Sequence, residues 1–130
     1  MLNIKKYVLI LAVFIIVAVG AFFISSGFKK RTDVYLINFS VSGDGSVITI
    51  ETTLSGSMGY IRDMKTERIN DAVYCSFYSA FGGLNSSIGA KSRFEIKLDD
   101  SSAKIYFDRG KGPADLVLEK NTETNVWIQR

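Results

Sequence analysis

The chain has 130 residues, a formal net charge of +3 and a pI near 9.0, with 16 basic and 13 acidic side chains, one cysteine and no histidine. Without imidazole there is no Ser-His or Cys-His nucleophile pair, no histidine general base and no His-containing zinc site. The lone Cys75 excludes an internal disulfide, so the chain folds on packing alone.

The charge is divided. Lys5, Lys6, Lys29, Lys30 and Arg31 flank one apolar stretch, while residues 32–130 carry 11 basic and 13 acidic residues, a net of −2. A basic flank on a mildly acidic domain points to lipid headgroups and away from nucleic acid. Residues 1–6 form a short basic tail, and residues 7–28 are 22 consecutive uncharged residues. At about 1.5 Å per residue they make a helix of roughly 33 Å, enough for a hydrocarbon core of about 30 Å. The expectation is one N-terminal transmembrane helix inserted in the lipid bilayer, then a basic juxtamembrane segment at 29–33.

A cleavable signal peptide has a shorter apolar region, of about 7 to 15 residues. Cleavage after Ala18 and Gly20 would leave Ala21, Phe22, Phe23 and Ile24 exposed at a new terminus, so retention as an anchor is expected. No cysteine ends the helix to take a lipid, and no acidic residue occurs before residue 32 to mark a pilin processing site. The flanking charges are too balanced for the positive-inside rule to decide orientation. An extracytoplasmic domain on the cytoplasmic membrane is expected because one N-terminal anchor precedes one compact domain.

From Val34 the pattern becomes the two-residue alternation of strands. Tyr35, Ile37, Phe39 and Val41 form one expected inward set, Gly43-Asp44-Gly45 a turn, and Ile48, Ile50, Thr52 and Leu54 the inward set of a second strand. Residues 60–69 carry charge on both faces around Met64, as an edge strand does. Residues 72–80 set Val73, Cys75 and Phe77 against Tyr74, Ser76 and Tyr78, the pattern of a central strand. Phe94, Ile96 and Leu98, then Ile105 and Phe107, then Leu116 and Leu118, and finally residues 126–128 complete seven or eight short strands. The fold class expected is all-β: after the helix, residues 34–130 form a single antiparallel β-sandwich of Ig-like form, or a small barrel.

The connection after residue 80 is the most distinctive stretch, because a run rich in Gly, Asn and Ser also carries Phe81, Leu84 and Ile88. It reads as a packed crossover or as a partner-binding loop in which Phe81, Leu84, Asn85, Ser86, Ser87 and Lys91 meet an anion or a glycan. Gly83, Gly89 and Lys91-Ser92 nearly spell a phosphate-binding loop. Five residues separate the glycines, Ala90 intervenes before Lys91, and a strand follows, so the match fails and no cofactor is expected. Tyr60, Tyr74, Tyr78, Tyr106 and Trp127 could stack sugars or pair across strands. Asp99-Asp100 reads as a solvated turn, Cys75 as an inert core thiol, and the sequons at Asn38 and Asn85 as chance.

The segments Gly59-Tyr60-Ile61-Arg62, 77–91 and Lys104-Ile105-Tyr106-Phe107-Asp108-Arg109-Gly110 resemble those of small uncharacterised membrane-anchored β-domain proteins of Gram-positive gut bacteria. The resemblance covers somewhat more than the C-terminal half. It implies a bacterial envelope setting and brings no catalytic or ligand residue. The function expected is a non-enzymatic membrane-anchored domain binding an envelope protein or glycan. Two alternatives stand beside it: an accessory subunit contacting a membrane complex through its anchor helix, and a glycan-processing enzyme using a carboxylate pair.

Overall fold

A computed structural model describes residues 3–56, 58–83 and 85–130. Helix α1 spans Ile4–Ser26, opened by the Asn3 side chain, which accepts a hydrogen bond from the Lys6 N–H. It is closed at Gly27, whose N–H donates to the Ile24 carbonyl, while the Phe28 N–H donates to Ser25. The helix is long and apolar enough to cross a membrane, and its apolar side chains are exposed around the full circumference. A helix that is apolar all round needs an apolar surrounding.

Among the described residues nine strands follow: β1 (Lys30–Arg31), β2 (Val34–Val41), β3 (Val47–Leu54), β4 (Ile61–Ile69), β5 (Ala72–Ser79), β6 (Arg93–Lys97), β7 (Lys104–Phe107), β8 (Asp115–Asn121) and β9 (Val126–Gln129). Eight of them lie in 34–130, as the alternation predicts; β1 arises within 29–33, expected as a basic juxtamembrane segment. The strands make two sheets, β2-β3-β6 and a larger one ordered β4-β5-β7-β8-β9. Among the described residues neither sheet closes into a barrel. β4 occupies one side of β5 along its length, while β7 pairs with Ala72 to Cys75 and β1 with Phe77 and Tyr78. β1 and β7 therefore share the other side of β5, one after the other. The β5–β7 pairing is parallel, which corrects the expectation of a purely antiparallel domain. The chain leaves the larger sheet after β5, forms β6 in the other, and returns to β7 in the same direction as β5, a crossover that parallel pairing requires.

The inward side chains of both sheets form one core. Ile48, Ile50, Phe94 and Ile96 come from the smaller sheet; Val73, Cys75, Phe77, Ile105, Phe107 and Leu118 come from the larger. Phe77 sits at the centre, edge-on to Phe94 at 5.8 Å and to Phe107 at 4.8 Å between ring centroids. Burying each such side chain stabilises the fold by about 1.5–3 kcal/mol.

Three bulges interrupt the alternation. At Ile37 the register of β2 against β3 slips by one residue, so Val34, Leu36 and Phe39 face the core while Tyr35, Ile37 and Val41 are exposed. This corrects the expected inward set of the first strand, of which Phe39 alone is kept. In β8 the extra residue is Val117, which is buried together with Leu118, while Leu116 is only half-buried. In β4 it is Arg62. A bulge turns one side chain away from the pattern of its neighbours.

Replacing Phe77 by Ala should lower stability by about 3–5 kcal/mol in the detergent-solubilised chain, read by urea unfolding through the single buried Trp127. Tyr74→Ala on the outer face should cost distinctly less. Equal costs at the two positions would overturn this placement of the core.

Candidate functional site

The connection from β5 to β6 folds back onto the end of α1. Ala80 is buried and its N–H donates to the Tyr60 carbonyl. Gly82 and Gly83 both adopt positive φ, a turn that β-carbons would strain, and the Gly82 N–H donates to the Phe23 carbonyl at 3.1 Å. The Phe81 ring stacks on Phe23 with centroids 6.2 Å apart and planes 7° apart. Through an isolated bridge Phe81 also pairs with Ile88.

Arg62, freed from the strand pattern by its bulge, completes the contact. Its guanidinium carbon lies 4.2 Å from the Phe81 ring centroid, and Nη2 donates to the Gly27 carbonyl at 2.8 Å. A cation at a helix C-terminus satisfies carbonyls that the helix leaves open and opposes the negative end of its dipole. The last turn of α1 has no basic residue of its own, so β4 supplies one. Gly27 is needed for close approach: a β-carbon there would lie 2.3 Å from the Phe81 ring, although its φ of −70° suits any residue. Phe23, Gly27, Phe81 and Arg62 thus form a clasp that fixes the helix to the domain. Beside it, Lys30 pairs with Asp108 at 2.8 Å and Arg31 with Asp33 at 2.8 Å. Two of the flanking cations are therefore spent on the domain's own carboxylates.

The expected loop residues divide between two tasks. Phe81 is in the clasp. Asn85 Oδ1 accepts from the Gly59 N–H at 2.8 Å, joining this loop to residues 55–60. The Ser86 N–H donates to Gly83, the Ser87 carbonyl accepts from Ala90, and the Lys91 N–H donates to Ile61 at 2.8 Å. The Ser87 side chain stays exposed, and Leu84 lies outside the described residues.

Asn85 and Lys91 also line an open cleft of about 500 Å³ between the two sheets, next to the clasp. Leu54 and Ile61 give it apolar surface; Thr53, Tyr60, Asn85 and Lys91 bring polar groups. Its size lies within the usual range of ligand clefts. One wall is an unfinished strand edge. The Thr52 N–H donates to Ser92 on the β6 side, and the Ser55 N–H donates to Asp33 on the β2 side. Backbone groups alternate sides along a strand, so the Leu54 N–H and C=O face the cleft beyond the end of β6. An extended segment could continue the sheet there, or a polyol could meet the same groups together with Asn85 and Thr53.

The five expected aromatic residues are not brought together. Tyr74 and Tyr106 stack at 4.9 Å on the outer face of the larger sheet, where Tyr78 also lies under Lys65; Tyr60 is at the cleft and Trp127 in the core. The Asp99 carboxylate is held by Ser101 and Ser102 at a turn and ion-pairs with Arg68, and these hydroxyls draw its pKa down to about 2. Ser42 and Ser46 do the same for Asp44, also to about 2. Burial pushes the Cys75 thiol up to about 12. Neither a protein-family model nor a curated protein nor a solved structure matches the chain. No motif marks Phe23, Gly27 or Arg62 in advance; a glycine ending an apolar helix is the single signal that bore on them.

Gly27→Val should drive Phe81 off the helix and cost about 1–3 kcal/mol, as overpacking does, with faster proteolysis of the 81–92 loop in the detergent-solubilised chain. Arg62→Lys should rescue this loop less well than wild type, because a point charge does not stack as a guanidinium does. Unchanged proteolysis in Gly27→Val would remove the clasp. The pH dependence has a definite sign. The Lys30 ammonium and the Gly110 N–H hold the Asp108 carboxyl below its ordinary 3.8, and Arg31 does the same for Asp33. Their contribution is complete above about pH 4 and is lost as pH falls through the lowered values. Asp108→Asn should therefore show a shallower loss of stability below pH 4 than wild type, measured as melting temperature against pH.

Proposed function

We propose that this protein is a membrane-anchored β domain of a bacterial envelope. It is held by residues 7–28 with its domain on the extracytoplasmic face, and it binds an envelope protein segment or glycan without catalysing a reaction. The observation that carries the reading is the cleft beside the clasp. It sets a free strand edge, apolar surface and the polar groups of Asn85 and Lys91 next to the end of an apolar helix. Retention of the helix is supported by its last turn, since Ser26 and Gly27 are buried and Phe23 stacks on the domain. A segment destined for removal has no need of a fitted seat in the mature fold. The accessory-subunit alternative draws on the helix surface itself, which is apolar and uncovered on all sides before its last turns; packing against another membrane helix would use it.

A photo-crosslinking residue at Thr53 or Tyr60 in intact cells should yield one discrete adduct. The same residue at Thr122, at the far turn, should yield none. Lys91→Ala should abolish the adduct while leaving urea unfolding unchanged. Adducts of the same kind from all three positions, or from none, would remove the cleft as the binding site. Protease access to a C-terminal tag in intact cells tests the orientation, and protection until lysis would overturn it.

A further inference from the structure

Exposed apolar side chains occur at both ends of the domain; at the end away from α1 they are Val41, Ile69 and Val126, each beside a polar turn. The turns of residues 42–46, 98–102 and 121–125, at the far end of the strands, are built of Gly, Ser, Asp, Asn and Thr with few apolar residues. At the end where α1 joins, Phe28, Met58, Tyr60 and Ile88 are 64%, 56%, 43% and 52% exposed. They belong to three segments that hydrogen bonds tie together: Arg31 Nη2 donates to the Met58 carbonyl, the Gly59 N–H to Asn85, and Ile88 bridges to Phe81. Together they form a collar around the helix end, with Lys29 and Lys91 exposed beside them.

The depth of the collar follows from the helix. The uncharged run of residues 7–28 is about as long as a hydrocarbon core is thick, which places residue 28 near the core boundary. The loop meets α1 at Phe23, five residues earlier, about 7 Å below that level. Gly82 reaches Phe23 with its own N–H, and a β-carbon on Gly83 would come to 3.0 Å of the Phe22 ring. Such a descent is tolerable for a loop whose backbone groups are occupied. Here Gly82, Ser86 and Ala90 all donate within the protein, and Phe81 pairs with Ile88.

We infer that this end of the domain is itself a lipid-contact surface, with Phe28, Met58, Tyr60 and Ile88 seated in the interfacial layer of the bilayer that α1 crosses. The inference rests on the reading of α1 as a retained anchor. Tyr and apolar side chains favour that layer, and Lys29 and Lys91 have stems long enough to carry their charges to the headgroups. The domain does not hang from a tether: it rests on the membrane, and the cleft opens just above the lipid.

Site-directed spin labelling tests this in the full chain, reconstituted in vesicles of phosphatidylcholine and phosphatidylglycerol. Labels go on Ile88→Cys, Met58→Cys, Val13→Cys within α1 and Thr122→Cys at the far turn. Cys75 is fully buried, so the parent chain should take up no label and serves as the blank. Collision with oxygen, which partitions into lipid, is compared with collision with a water-soluble nickel chelate. The expected result is an oxygen-to-nickel ratio at positions 88 and 58 severalfold above that at 122 and approaching that at 13. A ratio at 88 and 58 equal to that at 122, with 13 still in lipid, overturns the lipid seat and leaves the anchor standing. A ratio at 13 no higher than at 122 overturns both.

Discussion

The bond from Arg62 to the Gly27 carbonyl decides how this molecule is put together. An α-helix ends with open carbonyls and a partial negative charge, and this one ends against a β domain instead of in water. The Phe23, Ile24, Ser25 and Ser26 carbonyls are taken by the N–H groups of Gly82, Gly27, Phe28 and Lys29, and without Arg62 the Gly27 carbonyl beside them would be buried unmet. Arg62 supplies the donor because a bulge in β4 lifts it from the strand pattern, and Phe81 supplies a flat surface for the guanidinium. The remaining contacts at this end depend on that arrangement. Gly27 has no side chain because Phe81 fills the space, and the two glycines after Phe81 let its loop turn toward Phe23.

The clasp and the core meet in β5. Its inward residues Val73, Cys75 and Phe77 are buried between the sheets, and its end runs directly into the loop that grips the helix. β4 and its Arg62 hang on one side of it, and β7 and β1 share the other. Helix position, cleft shape and core packing are therefore fixed by one strand and its neighbours. The cleft lies where β6 has ended at Arg93 and β3 runs on: Thr52 still donates to Ser92, and past it Leu54 has no partner on that side among the described residues.

The sequence showed most clearly those parts that obey a simple period. Residues 72–79 alternate without interruption, and their role as central strand is found in the structure; so are the β2–β3 hairpin and the edge position of β4. Where one extra residue enters a strand, period counting fails. Ile37, Arg62 and Val117 carry no mark of being bulged, and beyond Ile37 the remaining residues of β2 change face. The parallel pairing of β5 and β7 was illegible for another reason: strand direction depends on how the chain crosses between sheets, and a strand's own composition does not record it. The loop of Phe81 was visible as an oddity, since apolar residues sat in a run of small polar ones. What they packed against lay some sixty residues upstream, in a helix that composition alone would assign entirely to lipid.

The place of β1 gives the attachment a mechanical character. Only two residue pairs join it to β5, and they lie beside β7 on the same side, so β5 keeps β4 and β7 when they part. A pull between helix and domain would load the clasp and these two pairs before it reached the buried core. Once released, residues 28–33 would extend to roughly 20 Å, six residues at about 3.3 Å each. The connection is short at rest and can lengthen under load while the domain stays folded, so it would act as a built-in slack between the helix and the domain.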